Sequence, residues 1–358
     1  MLKTTKSWLK SIEGNPRYFV GAVLGVALGA GVYFLFPLPP TAQATLDVTA
    51  TYRDQVSYWK SRIDEEGGTK AYEEFGREVA QLSYGQKHSG AHAFGAALFA
   101  AEGARGVFVC DQRFSFGCFH QFLGDAITAL GIESIPELNE QCFDALSASP
   151  LSCQHGIGHG ALASIGYDDT ALLKALDICK DLSGVDPIGG CYGGVFMEYN
   201  VRTMLAEDAT TREYSGNQFA PCDSLASEFV PACIYWQPQW WQQIQGEVAV
   251  EEKFRVMGEY CRRFGTTQQL SRSCFEGIGN IVEQSSDFDP TRARTLCDAA
   301  GSTSKENLAC RSIAANHFGI DVSHDAAAQV CGDLAGETHE FCMAYGTNRG
   351  NVANELPI

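Results

Sequence analysis

The chain has 358 residues, 45% of them hydrophobic and 19% charged, with a net charge of −17. That length allows one large domain or two ordinary ones, and the apolar content builds a core rather than a disordered tail. The acidic balance argues against a nucleic-acid partner, which would select a basic surface, and suits a domain that lies outside the cytoplasm or attracts cations.

The first element is apolar. Residues 17–36, RYFVGAVLGVALGAGVYFLF, carry no charge after Arg17. Such a run is long enough to cross a bilayer as a helix. Lys3, Lys6, Lys10 and Arg17 precede or open it, so the positive-inside rule keeps 1–16 as a cytoplasmic tail and exports the rest of the chain. The reading is a transmembrane signal-anchor at 17–36, a linker at 37–50, an extracytoplasmic repeat domain at 51–350 and a C-terminal tail at 351–358. The rival is a signal peptide cleaved near Ala44, where Ala42-Gln43-Ala44 forms an A-x-A site. Either way the main domain is periplasmic or extracellular.

From residue 110 onward the cysteines keep time. Fourteen of them form seven consecutive pairs: Cys110 with Cys118, Cys142 with Cys153, Cys179 with Cys191, Cys222 with Cys233, Cys261 with Cys274, Cys297 with Cys310, and Cys331 with Cys342. Members of a pair are 8 to 13 residues apart, and the second members recur every 32 to 42 residues. A beat of that length marks a stacked repeat. The first cysteine closes a helical stretch A, as in ALLKALDICKDL, and the second opens a helix B, as in CQHGIGHGALASI. Loops such as SGVDPIGG lie between. In an oxidising compartment a disulfide would clip each hairpin, stabilising it by about 3 kcal/mol. An earlier unit without cysteines has helix A at 69–83 and helix B at 86–100, with Gln86 in place of the second cysteine. The expected fold is therefore all-α: about eight αα-hairpin repeats stacked into a curved solenoid that can close toward a toroid.

In helix-pair length and cysteine clips, residues 69–350 resemble the disulfide-clipped tetratricopeptide-like solenoids of some secreted bacterial proteins. The Trp-Leu-Gly-Tyr pattern of tetratricopeptides is absent and most cysteine spacings exceed eight. The resemblance therefore concerns architecture, and no functional residue is carried over from it.

Numbering each helix B from its second cysteine, or from Gln86, puts His88 and His92 at positions +2 and +6, His120 at +2, and His155 and His159 at +2 and +6. Residues four apart share a helix face, and equivalent positions of stacked repeats share a face of the array. Five histidines are thus expected to converge. Nitrogen ligands suit Zn, Cu, Ni or Fe(II), and five exceed a tetrahedral set, leaving room for an open position or a second ion. The Glu of H-E-x-x-H is missing from both pairs, so no zincin protease is implied. Asp125 and Glu198 are the carboxylates near these helix starts. The bland alternative is a hydrogen-bonded polar seam. His317, His324 and His339 fall outside the columns and read as solvated or core residues.

Glycine recurs at +3, as Gly156, Gly194 and Gly277, which suggests close backbone approach between helices. No strand pattern precedes residue 153, which argues against a nucleotide loop. The stretch PACIYWQPQWWQQ gathers Tyr235, Trp236 and Trp240, and with Glu276 offers a ligand surface for a protein or glycan partner. Glu276 and Glu283 are the carboxylates best placed for glycoside hydrolysis. No G-x-S-x-G elbow is present and every cysteine has a partner, which disfavours serine or cysteine nucleophiles. Two functions stand side by side: a membrane-anchored protein holding a transition metal (Zn, Cu or Fe), with a metalloenzyme role through an open position, and a binding scaffold with structural histidines.

Overall fold

Short polar side chains decide where helices begin. Thr51, Ser83, Asp168, Thr267, Asp289, Thr303 and Ser323 each accept a hydrogen bond from the backbone of the adjoining first helical turn, and Ser83 forms a reciprocal capping box with Gln86. Each such cap contributes about 1 kcal/mol. The computed structural model describes residues 50–111, 113–145, 151–182, 188–204 and 210–347. The signal-anchor, the cleavage site and most of the linker lie outside the described residues, as does the C-terminal tail. Among the described residues no single helix is long and apolar enough to cross a membrane.

The helices are α1 (Tyr52–Glu66), α2 (Gly68–Glu78), α3 (Tyr84–Glu102), α4 (Gly117–Leu130), α5 (Ile135–Ala145), α6 (Leu151–Ile165), α7 (Asp169–Lys180), α8 (Cys191–Asn200), α9 (Val230–Ile244), α10 (Val250–Phe264), α11 (Gln268–Ser285), α12 (Pro290–Ala300), α13 (Ser304–Asp321), α14 (His324–Val330) and α15 (Glu337–Thr347). The one sheet among the described residues is the pair β1 (Val201–Arg202) and β2 (Thr210–Thr211), antiparallel. The protein is all-α. All seven expected disulfides are present: Cys110–Cys118, Cys142–Cys153, Cys179–Cys191, Cys222–Cys233, Cys261–Cys274, Cys297–Cys310 and Cys331–Cys342, with Cα–Cα distances of 5.5–5.9 Å. They place this part of the chain in an oxidising compartment.

The structure corrects the expectation that the second cysteine of each pair opens helix B. Only Cys191 does so, with Cys118 one residue inside α4. Cys153, Cys233, Cys274, Cys310 and Cys342 lie further inside, because their helices begin at Leu151, Val230, Gln268, Ser304 and Glu337. The reason is local chemistry upstream of the sulfur. Thr267 and Thr303 cap α11 and α13 early, Pro231 fixes a helical φ in the first turn of α9, and Glu337 and Glu340 favour the N-terminus of α15. In those five pairs the second cysteine therefore lies within a helix, and Cys153, Cys233, Cys274 and Cys342 are at most 1% exposed.

Other boundaries also differ. The helix expected over 69–83 stops at Glu78, because Ser83 already caps the next one. Among the described residues the units of Cys110 and Cys222 have no α-helical A segment; a 3-10 stretch (Gly103–Phe108) stands before Cys110 and turns stand before Cys222. Helix α1 is an addition, seated by fully buried Trp59, whose ring lies 5.3 Å from Phe75 and 5.5 Å from Phe94.

The B helices pack in series, α3 on α4, then α6, α8, α9, α11, α13 and α15. Glycine sets their spacing. A Cβ on Gly156 would stand 2.9 Å from Phe119 O, one on Gly194 1.9 Å from His155 O, and one on Gly277 2.0 Å from Tyr235 O. These are the +3 glycines, each against the backbone of the preceding B helix. On the opposite side, Gly158 faces Cys191 O and Gly279 faces Cys310 O, at 2.0 and 2.3 Å. Helices this close cannot carry a methyl at the contact. Helix α13 also packs against the Arg113–Phe116 turn, and Tyr84 of α3 lies 5.3 Å from Phe288.

Gly277→Ala should therefore destabilise by at least about 2 kcal/mol in urea unfolding. Gly85→Ala, exposed with nothing within 4 Å of the added methyl, should be neutral or stabilising by up to about 1 kcal/mol. Equal effects of the two substitutions would refute glycine-limited packing.

Candidate metal centre

The five histidines sit on three consecutive B helices, His88 and His92 on α3, His120 on α4, His155 and His159 on α6. The structure brings all five together. Ring centroids are 4.7 Å apart for His88 and His92, 4.9 Å for His155 and His159, and 4.7 Å for His120 and His159. His120 stands 5.6 Å from His92 and 5.3 Å from His155. Two triads emerge, His88/His92/His120 and His120/His155/His159, each with one ligand atom per residue within 4.8 Å of the others. His120 belongs to both.

Four of the rings are held from outside the cluster. His88 Nδ1 lies 2.8 Å from Phe114 O, and His155 Nδ1 lies 3.1 Å from Gly189 O. His159 Nδ1 lies 2.8 Å from Glu198 Oε2, with both side chains fully buried. Glu198 also accepts hydrogen bonds from Tyr167, from the Thr203 amide and hydroxyl, and from the Met204 amide. That is a carboxylate orienting an imidazole from behind, a common outer sphere for a metal-bound histidine. On the other flank Asp125 accepts from Gln121 Nε2 at 2.9 Å, and Gln121 Oε1 lies 3.4 Å from His92 Nδ1. Asp125 and Glu198 thus both serve behind the histidines. His120 Nε2 and His159 Nε2 are buried with no hydrogen-bond partner.

Burial disfavours the charged form at three of these rings. Burial, and the proximity of other imidazoles, hold His92 and His120 well below the ordinary imidazole range; burial does the same more weakly at His88. Burial pushes the Glu198 carboxyl up, but the His159, Thr203 and Met204 hydrogen bonds outweigh it, so it stays below the usual carboxylate range. Neutral imidazoles present lone pairs, the form a metal ion requires.

The aromatic stretch has a different role from the ligand surface expected of it. Tyr235, Trp236, Trp240 and Glu276 are all buried. Trp240 Nε1 donates to Arg212 O at 2.8 Å, and Glu276 accepts from Arg272 at 2.7 Å. Only Trp236 approaches the histidines, 5.1 Å from His155, with its Nε1 on Ile188 O. Of the two carboxylates expected to act as an acid pair, Glu276 is taken up by Arg272, and Glu283 is buried beside Asp321.

His317, expected to be solvated or core, stands with Glu283 and Asp321, their ligand atoms within 4.8 Å of one another. Burial, then the charge of Asp321, push Glu283 well above the carboxylate range; burial also raises Asp321. His324 is exposed and His339 is held by Cys331 O. The sequence reading missed Gln121, Met204 and Asp321. Met204 Sδ fills the space beside Gly124, the +6 position of α4, where α3 and α6 carry histidine. Gln121–Asp125 and His317–Asp321 are i,i+4 pairs, the signal that found the histidines.

No protein family, no curated protein and no solved structure matches this chain.

Acid should selectively destabilise the metal-free protein. The folded rings have lowered pKa values, so below about pH 6.5 the unfolded chain takes up protons that the folded chain refuses. Their contribution is constant above that range and is lost as pH falls. His120→Gln should lose about 1 kcal/mol less than the parent between pH 7.5 and 5.5 in chelator. Parallel urea-derived stability curves for the two proteins would contradict this.

Proposed function

We propose that this chain is an exported helical-repeat protein, tethered by its N-terminal apolar segment, that binds a transition metal through its histidine cluster. The ion is Zn, Cu or Fe, held by His120, His155 and His159, with His88 and His92 beside it. One observation carries the reading: His120 Nε2 and His159 Nε2, in the same triad, are buried without a hydrogen-bond partner. Leaving each unmade costs about 1–3 kcal/mol, a cost that a bound ion removes. The Glu198 carboxylate behind His159 supports the same conclusion, because it raises ligand basicity and offsets the charge of an arriving cation. Three imidazoles leave a fourth position open, the arrangement that lets a metal activate a bound water.

The serial packing of B helices supports an α-solenoid of cysteine-clipped hairpins. Clips Cys110–Cys118 and Cys142–Cys153 anchor α4 and α6, and α3, which has no cysteine, is held by packing on α4.

Elemental mass spectrometry of the full chain, made in an oxidising compartment, tests this reading. About one to two equivalents of transition metal are expected, lost in a His155→Ala/His159→Ala variant that stays helical by circular dichroism. Glu198→Gln should retain the fold and weaken affinity about 10–100-fold. A folded parent that is metal-free and takes up no added Zn, Cu or Fe would overturn the proposal.

A further inference from the structure

A second mixed cluster lies on later repeats and shares no residue with the histidine centre. Glu283 comes from α11, and His317 and Asp321 come from one face of α13, four residues apart. Their ligand atoms lie within 4.8 Å of one another. We propose that Glu283, His317 and Asp321 form a second metal site, for a first-row divalent cation that accepts both oxygen and nitrogen ligands, Mn2+ or Fe2+.

The strongest support is at Glu283. The residue is only 3% exposed, and its Oε1 is buried with no hydrogen-bond partner. Among the described residues neither Glu283 nor Asp321 forms an ion pair. A buried carboxylate without a counter-charge is expensive, and two facing each other are more so. A divalent cation between them supplies both the missing charge and the missing ligand for Oε1.

The surroundings are built to hold the donors. Asn280 Oδ1, from the +6 column of α11, lies 2.9 Å from His317 Nε2 and fixes that ring. Ser115 Oγ lies 3.5 Å from Asp321 Oδ2, and its partner Tyr84 hydroxyl ties the same turn to α3. Ser115 sits between Phe114 and Phe116 in a turn where all three residues have φ between 49° and 62°. Such backbone is costly for residues with a Cβ and tends to mark functional sites.

The donor set separates this centre from the first. Two carboxylates cancel a 2+ charge, and one imidazole moves the preference from Mg or Ca toward Mn and Fe. An all-imidazole triad favours Zn or Cu. Mn2+ is therefore a probe that reports mainly the carboxylate site.

The test is Mn2+ titration of the full chain, reading the free aquo-ion by electron paramagnetic resonance. The parent and a His120→Ala/His159→Ala variant should each bind about one equivalent. Glu283→Gln/Asp321→Asn should bind at least about tenfold more weakly, and so should the single variant His317→Gln, which keeps both carboxylates if the double variant fails to fold. Mn2+ that stays free with the parent overturns the proposal, as does undiminished binding by both Glu283→Gln/Asp321→Asn and His317→Gln. Loss of the histidine centre alone leaves this readout unchanged, so failure of one site is distinguishable from failure of the other.

Discussion

The backbone-to-backbone contact between successive B helices is the constraint on which the rest depends. Side chains of ordinary size hold helices 8–10 Å apart. Gly194 and Gly277 bring a hypothetical methyl to about 2 Å from a neighbouring carbonyl, so these helices lie unusually near each other. The consequence is chemical. Imidazoles on three separate helices reach one another at ring separations below 6 Å, which a wider spacing would not permit. Glycine also decides where the histidine column ends. At Gly193, the +2 position of α8, a side chain would collide with Trp236 Nε1 and His155 Nδ1. The indole closes the cluster where the next histidine would have stood.

The short clip between Cys110 and Cys118 has a role beyond hairpin stability. Its loop contains Phe114, Ser115 and Phe116, all in the left-handed region. The turn hands the Phe114 carbonyl to His88 and the Ser115 hydroxyl to Asp321. A second left-handed pair, Asp287 and Phe288, meets it through Tyr84. Strain of this kind persists only where surrounding structure holds it. Here the disulfide and packing against α13 do so, and the turn contacts both side-chain clusters.

Much of this was legible in the sequence because two periodicities are simple. Cysteine spacing gave every disulfide, and the +2/+6 register located five converging histidines that span 72 positions. Register along a helix and repetition between helices are both local properties, and the stacking did the rest. Helix starts were less legible. Cys274 and Cys310 look like first-turn residues, and Thr267 and Thr303 look like loop residues, until the backbone that the threonines cap is seen. The register survived that error because it counts from the sulfur and not from the helix end. The tryptophans misled because an indole cluster reads as a surface or a core alike; burial depends on the chain that folds over it, here the segment carrying Arg212 and Gln218, whose carbonyls take the Trp240 and Trp241 N–H groups. His317 was missed for a related reason. Its partner Glu283 lies 34 positions earlier at a different register, so no single column contains both.

The two clusters solve the burial of polar groups in opposite ways. In the histidine centre burial, and then the charge of neighbouring imidazoles, oppose protonation of His92 and His120. It gathers imidazole nitrogens around one buried carboxylate, Glu198, which faces His159 and is also hydrogen-bonded by Tyr167, Thr203 and Met204. Imidazole donors favour ions high in the Irving–Williams order. The Glu283 cluster instead sets two carboxyls side by side; burial, then the charge of Asp321, push Glu283 up to about 9, and Lys87 draws Asp321 down from a distance. A chain whose surface is strongly acidic draws cations of every kind toward it. The two interiors present different donor sets, imidazole nitrogen alone in one and mixed oxygen and nitrogen in the other.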